Sequence, residues 1–284
     1  MRSFSIDIKR VQSGDSDTDR FDPKRLAEAE WREVIAPQAP VRKLPRPDAL
    51  LETEALMGEN FAIFEENGEG WCRGELVSDG YPGWIPSSAL GPRINPPTHR
   101  VSALRTLLFP GPSIKLPPVE SPPLGSKLAI RNIDGDLAET ESGYFVPAKH
   151  VMDLDVDEDD FVAVAEKFVG SPYLWGGKTN AGIDCSGLVQ VAITAFGMPC
   201  PRDSGVQEKW VGRALELDEG LPELLRGDLL FWPGHVAIAC DTVRIIHANA
   251  FHMAVTIEPA EDALRRIAAA GSPLRSVGRL AKTG

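Results

Sequence analysis

Three residues in the C-terminal half have the types and order of a thiol hydrolase. Cys185 opens an apolar helical stretch in Asp184-Cys185-Ser186-Gly187. His235 lies in Pro233-Gly234-His235-Val236-Ala237-Ile238 and His247 in Ile245-Ile246-His247-Ala248, both strand-like strings. That order supplies a thiol nucleophile, an imidazole base and a second imidazole to orient the first. At a helix start, Cys185 meets the positive end of the dipole and free N–H groups, which favour thiolate over thiol. His235 as imidazolium would stabilise that thiolate, then donate a proton to a leaving amine. His247 would accept from one ring nitrogen of His235, fixing its orientation and tautomer. The backbone N–H of Cys185 is a natural oxyanion donor.

These roles impose a geometric condition. Side chains alternate faces along a strand, so His235 and His247 share a face only if they pair directly or are offset by an even step. A two-residue loop at Asp241-Thr242 puts them on opposite faces. A three-residue loop, Cys240 to Thr242, pairs them directly, as does a five-residue loop. An odd loop or a bulge is required.

The elements that carry these residues follow from periodicity. Ser186 to Phe196 is apolar nearly all round and Gly197 sits where a helix C-cap belongs, so a central buried helix is expected. Strand-like runs follow at Asp228–Trp232, His235–Cys240, Val243–Ala248, Ala254–Glu258 and Ser276–Ala281. The acidic run from Asp153 to Asp160 marks a boundary and supplies N-caps for a helix over Phe161–Val169. A helix followed by an antiparallel sheet is an α+β plan of the papain-like kind.

Upstream the pattern is different. Residues 1–40 read as an extension, with Asp22-Pro23 starting a short helix through Leu26, Ala29, Trp31 and Val34 that Pro37 and Pro40 stop. Either Trp31 docks this arm on a neighbouring domain or the arm is a disordered tail. Residues 41–97 show short strands around Asn67-Gly68 and Asp79-Gly80, which are hairpin signals, and make a small all-β barrel. Residues 98–152 look like a degenerate second copy: Gly143-Tyr144-Phe145-Val146-Pro147 echoes Gly83-Trp84-Ile85-Pro86. Its strands are expected at Leu104–Leu108, Lys127–Ile130 and Gly143–Pro147, with a long proline-rich loop from Pro110 to Pro123. Residues 153–284 form the last domain.

A chain of 284 residues suits two or three such domains. Its net charge of −11 argues against nucleic acid, and no basic run suggests an anionic membrane. The four cysteines, Cys72, Cys185, Cys200 and Cys240, have no zinc-ligand spacing and read as reduced thiols, with neither metal nor cofactor expected. The N-terminus lacks the apolar run of a signal peptide, so the expected compartment is the cytoplasm.

Two resemblances sharpen this reading. Leu56-Met57-Gly58-Glu59, Gly70-Trp71 and Asp79-Gly80-Tyr81-Pro82-Gly83-Trp84-Ile85-Pro86 resemble the bacterial SH3 family. Ser171-Pro172-Tyr173-Leu174-Trp175-Gly176-Gly177, Asp184-Cys185-Ser186-Gly187, Pro201-Arg202-Asp203-Ser204, Gly227-Asp228-Leu229-Leu230-Phe231-Trp232, His235-Val236-Ala237-Ile238 and Ile246-His247-Ala248 resemble the NlpC/P60 cell-wall peptidases, in family order. The resemblance implies two SH3-like barrels before a papain-like cysteine peptidase domain, with a triad of Cys185, His235 and His247. It also implies cleavage between γ-D-glutamate and a diamino acid (diaminopimelate or lysine) in peptidoglycan stem peptides.

Substrate contacts are implied at Tyr173, Trp175, Ser186, Asp203 and Ser204. Tyr173 is either a second oxyanion donor or a core aromatic. Asp203 and Ser204 either hold a free amine or cap the following helix. The domain combination resembles the subgroup that trims freed muropeptides with an unblocked L-alanine. In that subgroup the first SH3 domain walls the cleft, with Tyr81 as the candidate reader and Glu54, Glu59 or Glu75 as its acidic partner. Murein tripeptides or tetrapeptides are then the partners. Two other readings compete: an amidase cutting between the lactyl group and L-alanine, and an inactive SH3-mediated wall-binding protein. His252 is expected on an exposed loop.

Overall fold

Both glycine turns expected in the first barrel form. In this computed structural model, Asn67 Oδ1 accepts from the N–H groups of Glu69 and Trp71 at 2.9 and 3.2 Å, and Gly68 takes φ 72°. Gly80 takes φ 70° beside an Asp79 side chain that accepts from Tyr81 N–H. The left-handed backbone that each turn needs is open to glycine without strain. The structure describes residues 23–280 apart from 212, 216 and 218–220, which fall into two compact units meeting at Asp157/Glu158.

In the first unit, helix α1 (Pro23–Glu28) is followed by β1 (Glu30–Val34), β2 (Gln38–Arg42), β3 (Leu51–Leu56), β4 (Asn60–Glu66), β5 (Trp71–Leu76), β6 (Pro82–Pro86) and β7 (Leu90–Gly91). Together these strands make one sheet in the order β3-β2-β6-β5-β4-β1-β7. Val34, Val41, Phe61, Cys72, Leu76 and Ile85 fill its core.

The helix expected through Val34 therefore stops at Glu28, and residues 30–40 belong to the barrel, not to an extension. Pairing of β1 with β4 and β7 buries Val34 completely, and that tertiary gain overrides local helix propensity. Trp31 ties α1 to the strand: its indole N–H donates to Leu26 O at 3.1 Å. Residues 1–22 of the expected arm lie outside the described residues.

Six shorter strands follow, β8 (His99–Val101), β9 (Lys127–Leu128), β10 (Ile130–Asp134), β11 (Leu137–Thr140), β12 (Phe145–Pro147) and β13 (Val151–Asp153). They form two three-stranded sheets, β10-β11-β12 and β13-β8-β9, around Val101, Leu108, Leu128, Ala138 and Val146. Leu104–Leu108, expected as a strand, makes only single bridges to the proline-rich segment, whose prolines withhold ladder donors. Lys127 N–H donates to Met57 O at 2.7 Å, and a Cβ at Gly58 (φ 79°) would lie 2.2 Å from Lys127 O. Only glycine fits that turn.

The second unit begins with α2 (Phe161–Glu166), capped by Asp160. The two-stranded β14 (Lys178–Thr179) and β15 (Gly182–Ile183) lead into α3 (Cys185–Ala195) and α4 (Ser204–Trp210). The sheet comprises β16 (Arg213–Leu215), β17 (Leu229–Trp232), β18 (His235–Ala239), β19 (Arg244–Asn249), β20 (Ala254–Pro259) and, after helix α5 (Ala260–Ala269), β21 (Ser276–Arg279). Its order is β16-β21-β17-β18-β19-β20, antiparallel throughout. Helix α3 packs along β18 and β19, with ten of its eleven residues buried and Gly197 (φ 83°) just past its end. All four cysteines are reduced and buried. No described helix is long and apolar enough to cross a membrane.

Candidate active site

The start of α3 is held by Asp184. As N-cap it accepts from Gly187 N–H at 2.7 Å through Oδ1 and from Gly176 N–H at 2.8 Å through Oδ2. Arg202, 1% exposed, closes on both oxygens and also donates to Ser186 Oγ at 2.9 Å and Gly177 O at 3.2 Å. A Cβ at Gly187 would lie 2.4 Å from Gly177 O, so the 174–177 loop lies hard against the helix start. Ser186 was expected at the substrate. Its hydroxyl is instead buried between Asp184 and Arg202, because an ion pair this enclosed needs every neighbouring lone pair.

Cys185 is the first residue of α3, 7% exposed. The backbone N–H groups of Val236 and Ser186 reach its Sγ and favour thiolate. Burial outweighs them and, with the Asp184 charge, pushes the thiol up to about 12. Burial likewise pushes His235 down to about 3, helped by His247 and Arg266. Both shifts favour a neutral thiol and a neutral imidazole and so run against the thiolate–imidazolium expectation, because burial disfavours each charged form.

The turn between the histidine strands is three residues long but shifted by one, Asp241 to Val243, closed by Cys240 N–H to Arg244 O at 2.8 Å. With Ile238 opposite Ile246, the register carries Ala237 opposite His247 and leaves His235 two residues away on the same face. Parity is satisfied by a diagonal, not by direct pairing. His235 Nε2 lies 2.9 Å from His247 Nδ1, leaving His235 Nδ1 as the other ring nitrogen.

His247 is 1% exposed, and its Nε2 lies 2.7 Å from Glu258 Oε1. Arg266 of α5 grips both oxygens of Glu258 at 2.7 and 2.6 Å. Burial alone would raise the Glu258 carboxyl, but the His247 and Arg266 hydrogen bonds hold it at about 2. Neither Glu258 nor Arg266 was singled out from sequence. One signal was present: with His247 opposite Thr256, Glu258 lies two positions on and shares its face. His252 lies, as expected, on an exposed turn, its ring 3.1 Å from Asn249 Oδ1 and 4.0 Å from Glu258 Oε1.

Tyr173 sits beside the thiol. Burial pushes its phenol up to about 12, with Cys185 and Asp184 adding to the rise, so it stays a hydroxyl donor. Trp175 is 67% exposed on the same loop. Asp203 and Ser204 begin α4, and the Asp203 side chain makes no capping hydrogen bond. Tyr81 belongs to the first unit, where it is 6% exposed.

Residues 170–266, which include Cys185, His235 and His247, match the NlpC/P60 family model, and residues 41–90 match the bacterial dipeptidyl-peptidase SH3 domain. The chain carries an NlpC/P60 cysteine peptidase domain. A gamma-D-glutamyl-L-lysine dipeptidyl-peptidase of Bacillus cereus is 27% identical over 74% of the chain and 70% of its own length. Another of that name from Bacillus subtilis is 30% identical over 65% of each, and dipeptidyl-peptidase 6 of Lysinibacillus sphaericus is 32% identical over 43% of this chain and 44% of its own. In fold, an NlpC/P60 family protein from Bacillus cereus superposes with a TM-score of 0.72 at 21% identity, covering 88% of this chain and 99% of that one. The SH3 match and the NlpC/P60 match fall in different compact units.

Proposed function

We propose that this NlpC/P60 protein hydrolyses the bond between γ-D-glutamate and a diamino acid in freed peptidoglycan stem peptides with an unblocked L-alanine amine. The observation that carries the reading is the His235–His247 pair at 2.9 Å on the strand whose Val236 N–H reaches the Cys185 thiol, in a chain that also carries a dipeptidyl-peptidase type of SH3 module. The names of the relatives support the bond and the peptide class. The strands between His99 and Asp153 support a second, degenerate SH3-like barrel, and the order of helix then sheet supports the papain-like plan.

In this mechanism His235 Nδ1 takes the Cys185 proton as Sγ attacks the γ-carbonyl of D-glutamate. The Cys185 N–H and the Tyr173 hydroxyl stabilise the oxyanion. The imidazolium returns its proton to the leaving amine of the diamino acid, and a water activated by His235 releases the thioester. Burial keeps the reacting pair neutral at rest, so charge develops only when substrate and oxyanion donors are in place. Asp203, at the start of α4, is the candidate carboxylate for the L-alanine ammonium.

The test compares L-Ala-γ-D-Glu-diaminopimelate, the same peptide acetylated on its L-alanine nitrogen, and intact sacculi. The free peptide should be cut and the acetylated one lose about 10²- to 10³-fold, the cost of a buried charge without its partner. Equal cleavage of both peptides, or turnover of sacculi alone, overturns this substrate assignment.

A further inference from the structure

The hydrogen-bonded chain behind the nucleophile does not end at His247. We infer that Glu258, held by Arg266, is a positioning residue that sets the tautomers of both histidines and so aims a lone pair at Cys185. This rests on the roles proposed above for Cys185, His235 and His247.

Proton counting carries the argument. Glu258 receives both Arg266 contacts and the His247 Nε2 contact, so its oxygens act only as acceptors. His247 must therefore carry its proton on Nε2, leaving Nδ1 as an acceptor. His235 Nε2 lies 2.9 Å from that nitrogen and must then be the donor. A neutral His235 protonated on Nε2 has its lone pair on Nδ1, the nitrogen required to receive the thiol proton. One carboxylate thus orders two imidazoles in series, as an outer partner fixes ring and tautomer elsewhere.

The strand geometry supports the assignment independently. The chain runs diagonally over β18, β19 and β20, two residues off direct pairing at each step. Arg266 comes from α5, which follows β20 without a break, so the helix locks the last member in place. The charged or titratable groups around Glu258 are His247, Arg266 and, at 4.0 Å, His252. Arg266 is also stacked over the ring of Phe251 at 4.3 Å, which limits its freedom to leave the carboxylate.

Glu258→Gln tests this, because an amide has a donor where the carboxylate had an acceptor. If its oxygen stays with Arg266, its N–H₂ faces His247 Nε2 and turns both imidazoles over, leaving an N–H facing the thiol. Enforcing the wrong tautomer on a base directly costs about 10⁴ in kcat. Acting one residue further out, Glu258→Gln should lower kcat about 10²-fold with KM within about threefold. Glu258→Asp, which keeps the charge, should recover at least about tenfold of that loss.

Long-range proton–nitrogen NMR of histidine-labelled wild type should show both His235 and His247 protonated on Nε2 near neutral pH, and Glu258→Gln should shift His247 toward Nδ1. These spectra need no substrate, so they stand or fall separately from the peptide assignment. A wild-type His247 protonated on Nδ1, or a folded Glu258→Gln protein with kcat within twofold of wild type, overturns the inference. If Glu258→Gln does not fold, the wild-type spectrum alone decides.

Discussion

Asp184 and Arg202 face each other through two parallel hydrogen bonds, Nη1 to Oδ1 at 2.9 Å and Nη2 to Oδ2 at 2.8 Å, directly beside the nucleophile. The pair serves the helix as well as itself: Asp184 caps α3, and its uncompensated charge would raise the Cys185 thiol further. Arg202→Ala should therefore destabilise the protein by about 3–5 kcal/mol, the usual cost of orphaning one member of a buried pair. Urea denaturation checks this, and a loss below about 1 kcal/mol would show that water replaces the guanidinium. Arg202→Lys should fall between, since an ammonium cannot form the fork.

Cys185→Ala should abolish hydrolysis, with a fall of at least about 10⁴-fold, while the thermal unfolding midpoint changes little. Cys185→Ser should be equally inactive, because a buried neutral imidazole is too weak a base for a hydroxyl. Residual turnover within tenfold of wild type in single-turnover assays would sink the thiol mechanism.

His235→Ala should cost more activity than His247→Ala, because the first removes the base and the second only what orients it. The diagonal contact at 2.9 Å makes the two non-additive. The double variant should be no slower than His235→Ala within about threefold, and additive losses would separate the two histidines functionally.

The acid limb of kcat/KM should lie below about pH 5, under the ordinary imidazole value near 6.5, because burial holds His235 at about 3. The sign for stability follows. A histidine whose folded value is depressed leaves the unfolded chain binding more protons between about 6.5 and 3. Stability contributed by neutral His235 is therefore complete above pH 6.5 and is lost as pH falls through that window. Over the first unit of pH below 6.5 the loss is about 1 kcal/mol and then approaches about 1.4 kcal/mol per unit, and His235→Asn should flatten the corresponding fall in unfolding midpoint. A pH-rate limb at 6.5 would contradict a buried neutral base.

The nucleophile, the base and its orienter were readable because each sits in a short string with its own local logic: a cap and helix start at Asp184-Cys185, and strand alternation at His235 and His247. The need for an even offset was readable too, but not its size, since a turn of three residues closes equally well one position later. Glu258 and Arg266 were missed for a different reason. A charged residue at a strand end and an arginine on a helix read as solvated, and only the β19–β20 register turns them inward. Arg202 was visible only within a motif string, and nothing local marks an arginine as 1% exposed. At the N-terminal side, Trp31 to Val34 fits a helical stripe in isolation. The decision for β1 is made by β4, some thirty residues away.

The near-complete enclosure of α3 divides the peptidase domain into parts with very different freedom to change. Amide protons along that helix should exchange with solvent only through global unfolding, at rates tied to the stability of the whole domain. Leu174, Trp175, Phe251 and Met253, by contrast, stand 41–68% exposed on two segments joined by Tyr173 N–H to Met253 O at 2.9 Å. Laboratory evolution toward a different peptide should therefore gather its accepted substitutions on those two segments, and leave the helix that carries the sulfur untouched.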